Sequence, residues 1–167
     1  MGDLMNKKEY LNKLEKKYEN YFKIYKNKNV LGENIDLFAH YYEEAGRTFI
    51  TQKDIIDRFE INEYCLVKTF EKIDNSILEN FCDYGKKLTK DLVKPHSEHR
   101  SSVITLVMIS DNLLKENTLK LLGKFKYTKY YKFYFHGFSQ VKVVLVDLFN
   151  NRVYCSKNAK LLRKTYS

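Results

Sequence analysis

The chain has no tryptophan, one proline and six glycines, so nothing in it reads as a Pro/Gly linker between domains. It also lacks the roughly 18–20 consecutive apolar residues that would span a bilayer. Its opening stretch, MGDLMNKKEYLNKLEKKYENYF, has no apolar core, so no secretory leader is expected. Asn6 stands where N-myristoylation would need Ser or Thr. The three cysteines, Cys65, Cys82 and Cys155, are widely spaced and form no CxxC pair. A Cys-rich zinc site is therefore not expected, and free thiols in a cytoplasmic protein are. No P-loop, GxGxxG or G-x-S-x-G pattern is present, which removes the common phosphate cradles and the serine-hydrolase elbow.

What is present is aromatic and basic. Fourteen Tyr and eleven Phe supply much of the apolar content of the 167 residues, enough for one folded domain spanning 1–167. The net charge of +9 is unevenly placed. Residues 1–110 carry 18 basic and 18 acidic groups, whereas 111–167 carry 12 and 3. A basic last third could meet nucleic acid, although Lys so dominates Arg that compositional bias explains part of it.

Periodicity gives the elements. Residues 7–22 read as a helix, with Leu11, Leu14, Tyr18, Tyr21 and Phe22 on one stripe. A loop at 27–34 leads to strands at 35–42, 48–51 and 63–73, with a turn at 43–47 and an ambiguous segment at 52–60. On 35–42, Ile35, Leu37, Ala39 and Tyr41 would share one face. Residues 74–94 form a helix capped at Asp74–Ser76 and stopped by Pro95. SVITLVMI (102–109) reads as a central strand covered on both faces. A short helix from Ser110 and Asp111 would end at Gly123, and 130–156 would give three strands before a basic helix at 156–164 capped by Ser156. The expected class is α+β: helices packed on a mostly antiparallel mixed sheet, in the order α-βββ-α-β-α-βββ-α.

The candidate site begins at LVKPHSEHR, where His96, Glu98, His99 and Arg100 precede the central strand. Two imidazoles and a carboxylate suit a divalent metal, but the spacing is neither HExxH nor that of a zinc deaminase. On a strand over 130–135, Lys132, Tyr134 and His136 would share a polar face, with Tyr131, Phe133 and Phe135 facing the core. His136 could then approach His96 and His99, the three forming a metal set if one exists. KFKYTKYYKFYF (124–135) could stack bases and contact phosphates, or be an edge strand with one wet face. Asp147 is expected to open a turn.

Two resemblances follow from these strings. LVKPHSEHRSSVIT and KFYFHGFSQVKVVLVDLFNNRVYCSKNAKLL are similar to an uncharacterised family of small bacterial proteins, which implies a compact cytoplasmic domain and no established activity. The element order of the first two thirds resembles a restriction-endonuclease-like core. That family needs an acid on its second strand and an Asp/Glu-x-Lys triplet on its third. Lys68 could match the lysine, but Leu66 stands at the acid, and Asp36 lies one strand early on this reading. The expectation is a non-enzymatic domain binding a small ligand or protein through His96, Glu98, His99, Arg100, Tyr134 and His136. No cofactor beyond a divalent metal is implied. The alternatives are a nucleic-acid-binding protein with a degenerate endonuclease-like core and a metal-dependent hydrolase. A homodimer is open, and no membrane partner is expected.

Overall fold

The computed structural model describes residues 5–48 and 55–167. Its elements are α1 (Lys7–Tyr18), β1 (Lys23–Val30), β2 (Glu33–Thr48), β3 (Ile55–Thr69), α2 (Asn75–Leu92), β4 (His99–Ser110), α3 (Glu116–Lys124), β5 (Tyr127–Tyr130), β6 (Phe138–Asp147), β7 (Arg152–Cys155), a 3-10 turn (Lys160–Leu162) and α4 (Arg163–Tyr166). The seven strands form one mixed sheet in the order β1-β2-β3-β4-β6-β5, with β7 also paired to β6. Only β3–β4 and β4–β6 are parallel. The α+β class and the element order match the sequence reading.

β4 lies between two parallel neighbours, and Ile104, Leu106, Val107, Met108 and Ile109 are fully buried. Alternate residues feed two cores. Leu66, Ile104, Leu106, Met108, Val141 and Val143 meet α2 and α3 on one face. Val67, Val107, Ile109, Val144 and Val146 meet α1 and the C-terminal turn on the other. Period-two alternation on a sheet covered twice reads as the uninterrupted apolar run seen in the sequence. Asp74 caps α2 as expected, its carboxylate accepting from the Ile77 N–H at 3.0 Å. Asp147 opens the β6–β7 turn by accepting from the backbone and side chain of Asn150 at 2.9 and 2.8 Å.

Several boundaries differ from the expectation. The first helix ends at Tyr18, and the expected loop at 27–34 is mostly strand, because β1 is an edge strand rich in Lys and Asn that hides its alternation. β2 runs through the expected turn at 43–47 to Thr48; the expected strand at 48–51 falls mostly outside the described residues. Its faces switch between Ile35 and Leu37: Ile35 and Phe38 pack toward α2, Leu37 and Ala39 toward α1. Opposite the switch, Asn27 has φ of 49° and drops out of the ladder, while the register on either side of it stays the same. Asp36 therefore lies on the second strand. Its carboxylate accepts from the Thr69 N–H and hydroxyl at 2.7 and 2.9 Å, while Lys68 pairs with Glu33 at 2.5 Å and Leu66 is buried. α3 begins at Glu116 and contains Gly123, so neither Ser110 nor Asp111 caps it. Ser156 caps no helix directly; its hydroxyl accepts from the Val143 N–H at 3.0 Å and donates to Asn158.

The largest correction concerns 131–136. This segment is a turn, with φ of 44°, 51° and 77° at Lys132, Phe133 and Tyr134. Phe133 and Phe135, expected in the core, are 88 % and 81 % exposed. Of the expected strand at 130–135 only Tyr130 belongs to a strand, so Lys132, Tyr134 and His136 share no strand face.

Candidate functional site

β4 starts where β3 and β6 flank it, with Glu60 opposite His99 and Phe138 opposite Ser101. The Pro95–Glu98 connector and the 131–137 turn meet there. The turn is pinned from behind. His99 is 4 % exposed, and its Nδ1 lies 2.7 Å from the His136 carbonyl oxygen. A carbonyl only accepts, so Nδ1 carries a proton; in the neutral ring Nε2 then accepts from the Ser102 hydroxyl, 2.9 Å away. Both nitrogens of His99 are engaged, which makes it a strut rather than a metal ligand. Tyr131 meets His99 edge-on at 5.9 Å and hydrogen-bonds Ser139 at 2.8 Å. The Tyr131 N–H donates to the Gly137 carbonyl, and the Gly137 N–H to that of Tyr134. Gly137 has φ of 72°, and a Cβ there would lie 2.2 Å from the Arg100 carbonyl oxygen, so this contact requires glycine.

The expected convergence of three histidines takes a different form. His96 and His99 have ring centroids 6.3 Å apart, but His136 reaches His99 through its backbone carbonyl. Partial desolvation, then the nearby Lys132, His96 and His99, holds the His136 imidazole below its ordinary pKa. His96 turns toward Glu60, Nε2 to Oε2 2.9 Å, and its Nδ1 accepts from the Glu98 N–H at 3.2 Å. With Nδ1 accepting, Nε2 of His96 carries the ring proton and donates a hydrogen bond to the Glu60 carboxylate. Ligand atoms of Glu60, His96 and Glu98 lie within 4.8 Å of one another. A cation at Nε2 would need the ring proton moved to Nδ1, and a cation at either nitrogen would need the Glu98 N–H contact opened. The donor set fits a divalent ion in kind, and it differs from the expected His96, His99 and His136 by replacing two histidines with carboxylates.

Beside this group lies a cleft of about 340 Å³ between β3 and the turn, lined among others by Arg58, Phe59, Glu98, Arg100, Tyr134 and Phe135. The Arg100 guanidinium sits over the Phe59 ring at 4.9 Å. Arg58 has Glu44 at 3.8 Å, and no described carboxylate pairs with Arg100. Of the expected site residues, Glu98, His99, Arg100 and Tyr134 line the cleft, while His96 and His136 stand outside its wall. Arg58, Phe59 and Glu60 were missed because 52–60 carries no clear period. The available signal was that Arg58 is one of only five arginines in a chain with 30 basic residues.

A larger cavity of about 460 Å³ lies between α2 and α3, against Cys82, Lys86 and Phe125. It is an ordinary interhelical groove in which Lys86 already pairs with Asp83 at 2.9 Å. Burial pushes the Cys82 thiol up to about 12, so it offers no nucleophile there. The cleft at β4 has in Arg100 a cation with no carboxylate partner among the described residues, and a left-handed turn for one wall, and is the stronger candidate.

None of the curated proteins and none of the solved structures compared with the chain matches it. A family model described as "Domain of unknown function (DUF8052)" matches residues 6–167, in keeping with the resemblance carried by 92–105 and 132–162. The chain therefore belongs to the DUF8052 family.

Proposed function

We propose that this is a non-enzymatic cytoplasmic binding domain whose cleft at the start of β4 takes a small anionic ligand bearing a planar group. The observation that carries this reading is the meeting of Arg58 and Arg100, from different strands, in a cleft walled by aromatic rings. Guanidinium forks match phosphate or carboxylate, and Phe59, Tyr134 and Phe135 offer ring faces or edges to the rest of the ligand. Three buried unpaired thiols are in keeping with a reducing compartment. Calorimetry with inorganic phosphate and phenyl phosphate tests the reading. Phenyl phosphate should bind more tightly than phosphate, and Arg100→Ala should abolish both. Unchanged binding by Arg100→Ala would refute it.

A second reading is favoured by the Glu60, His96 and Glu98 geometry: a divalent cation at the lip of the same cleft. The three groups could anchor the ion, which would supply a Lewis acid for a hydrolase. Titration with Co²⁺ should then show saturable binding that fails in Glu60→Gln. Equal Co²⁺ affinity in wild type and Glu60→Gln would remove this second reading.

A further inference from the structure

Four exposed aromatic residues sit at the end of β5 and on the turn after it: Tyr130 at 51 %, Phe133 at 88 %, Tyr134 at 68 % and Phe135 at 81 % exposure, with Tyr134 and Phe135 lining the cleft and the Tyr130 ring 4.4 Å from that of Tyr134. Isolated exposed rings are ordinary, but a contiguous group on one turn is not. The backbone that presents them is costly. Three successive non-glycine residues with positive φ each forgo about 1 kcal/mol or more. The strut formed by His99, the Tyr131–Ser139 hydrogen bond and the Gly137 contact hold this conformation against β4. A turn serving only to connect β5 to β6 needs none of this.

Positive charge predominates around the rings. Residues 126–135 contain Lys126, Lys129 and Lys132 and no acid, and the cleft adds Arg58 and Arg100 against a single lining acid, Glu98, with Glu44 3.8 Å from Arg58. Lysine abundance can reflect composition, whereas two of five arginines in one concavity do not follow from a lysine bias. A long partner on this surface must therefore be anionic, offer flat faces to aromatic rings, and bend from a protruding turn into a recess.

Resting on the anion-binding reading of the cleft, we propose that the ligand is single-stranded nucleic acid, with bases stacked on Phe133, Tyr134 and Phe135 and backbone phosphates on Arg58 and Arg100. Base-on-ring stacking tolerates any sequence, and arginines beside the rings contact the strand between stacked bases. A duplex keeps its base faces inside the helix and cannot use the rings. A flat anionic bilayer could take up the protruding phenylalanines but would bridge the concavity holding the arginines. A flexible single strand uses both.

The test is fluorescence anisotropy of labelled oligothymidylate and oligouridylate over a salt series, with co-sedimentation on anionic vesicles as a second arm. Wild type should bind at least one oligonucleotide, more weakly as salt rises. Phe133→Ala and Phe135→Ala should each weaken binding by about 5- to 100-fold. Their thermal melting should stay at wild type, because both rings are already in solvent. Arg100→Ala should reduce the slope of log affinity against log salt by about 0.7. Ring variants that bind like wild type would overturn the proposal, and so would Phe133-dependent vesicle binding without oligonucleotide binding. If phenyl phosphate binds the cleft and oligonucleotides bind no more tightly, this inference falls and the anion reading stands; if neither binds, both fall.

Discussion

Gly137→Ala puts the site's construction under the most direct strain. The residue has φ of 72°, where an L side chain costs about 1–2 kcal/mol. The new Cβ would sit 2.2 Å from the Arg100 carbonyl oxygen and 2.6 Å from that of His99. Both obstacles are backbone of the central strand, so the turn must retreat, and the retreat lengthens the 2.7 Å bond from His99 to the His136 carbonyl. A buried imidazole N–H left without its acceptor costs a further ~1–3 kcal/mol. The combined loss is about 3 kcal/mol, which for a chain of this size lowers Tm by about 6–12 °C. Differential scanning calorimetry measures it, and phenyl phosphate binding should fall with it, because Tyr134 and Phe135 move with the turn. A variant that melts with wild type and binds normally would refute the claim that this close contact positions the cleft.

Gly123→Ala should behave oppositely. Nothing lies within 4 Å of its added Cβ and its φ is ordinary, so the substitution in α3 should raise stability by about 0.5–1 kcal/mol in chemical denaturation. Asp147→Ala removes the buried acceptor of two Asn150 bonds and should destabilise by about 1–3 kcal/mol, seen as a lower denaturation midpoint. Burial lifts Cys65 and Cys82 from 9.0 to about 12 and holds Tyr18 and Tyr166 well above 10.0. These groups ionise more readily in the unfolded chain, so the stability they confer is complete below pH 9 and is lost as pH rises toward 12. Equilibrium denaturation at stepped pH should show stability falling above pH 9, and a flat profile to pH 12 would contradict this. Iodoacetamide should leave all three buried cysteines unmodified in the native protein at neutral pH and label them after denaturation.

The core was legible because covered sheets advertise themselves. SVITLVMI fitted a buried central strand best, and DNSILENF carried both the cap and the start of the stripe of α2. The edge was not legible. KIYKNKNV pairs through its backbone while most of its side chains face solvent, only Val30 being buried, so no apolar alternation marks β1. The end of KFKYTKYYKFYF misled for the converse reason. Its alternating lysines and aromatics mimic a half-buried strand, and only the left-handed backbone, imposed by contact with β4, turns the rings outward. Half of the site was visible in HSEHR, and the partners Arg58 and Glu60 were not. Parallel β3–β4 pairing brings them beside His99 across a separation that local pattern does not encode.

The proposed ligand of the cleft at the start of β4 is anionic and carries a planar group. Backbone amide shifts recorded during a phenyl phosphate titration test it most directly. Saturable shifts should gather on Arg58, Phe59, Glu98, Arg100, Tyr134 and Phe135 and be absent in Arg100→Ala. Shifts gathered instead on Cys82, Lys86 and Phe125, or saturable shifts unchanged by Arg100→Ala, would contradict it.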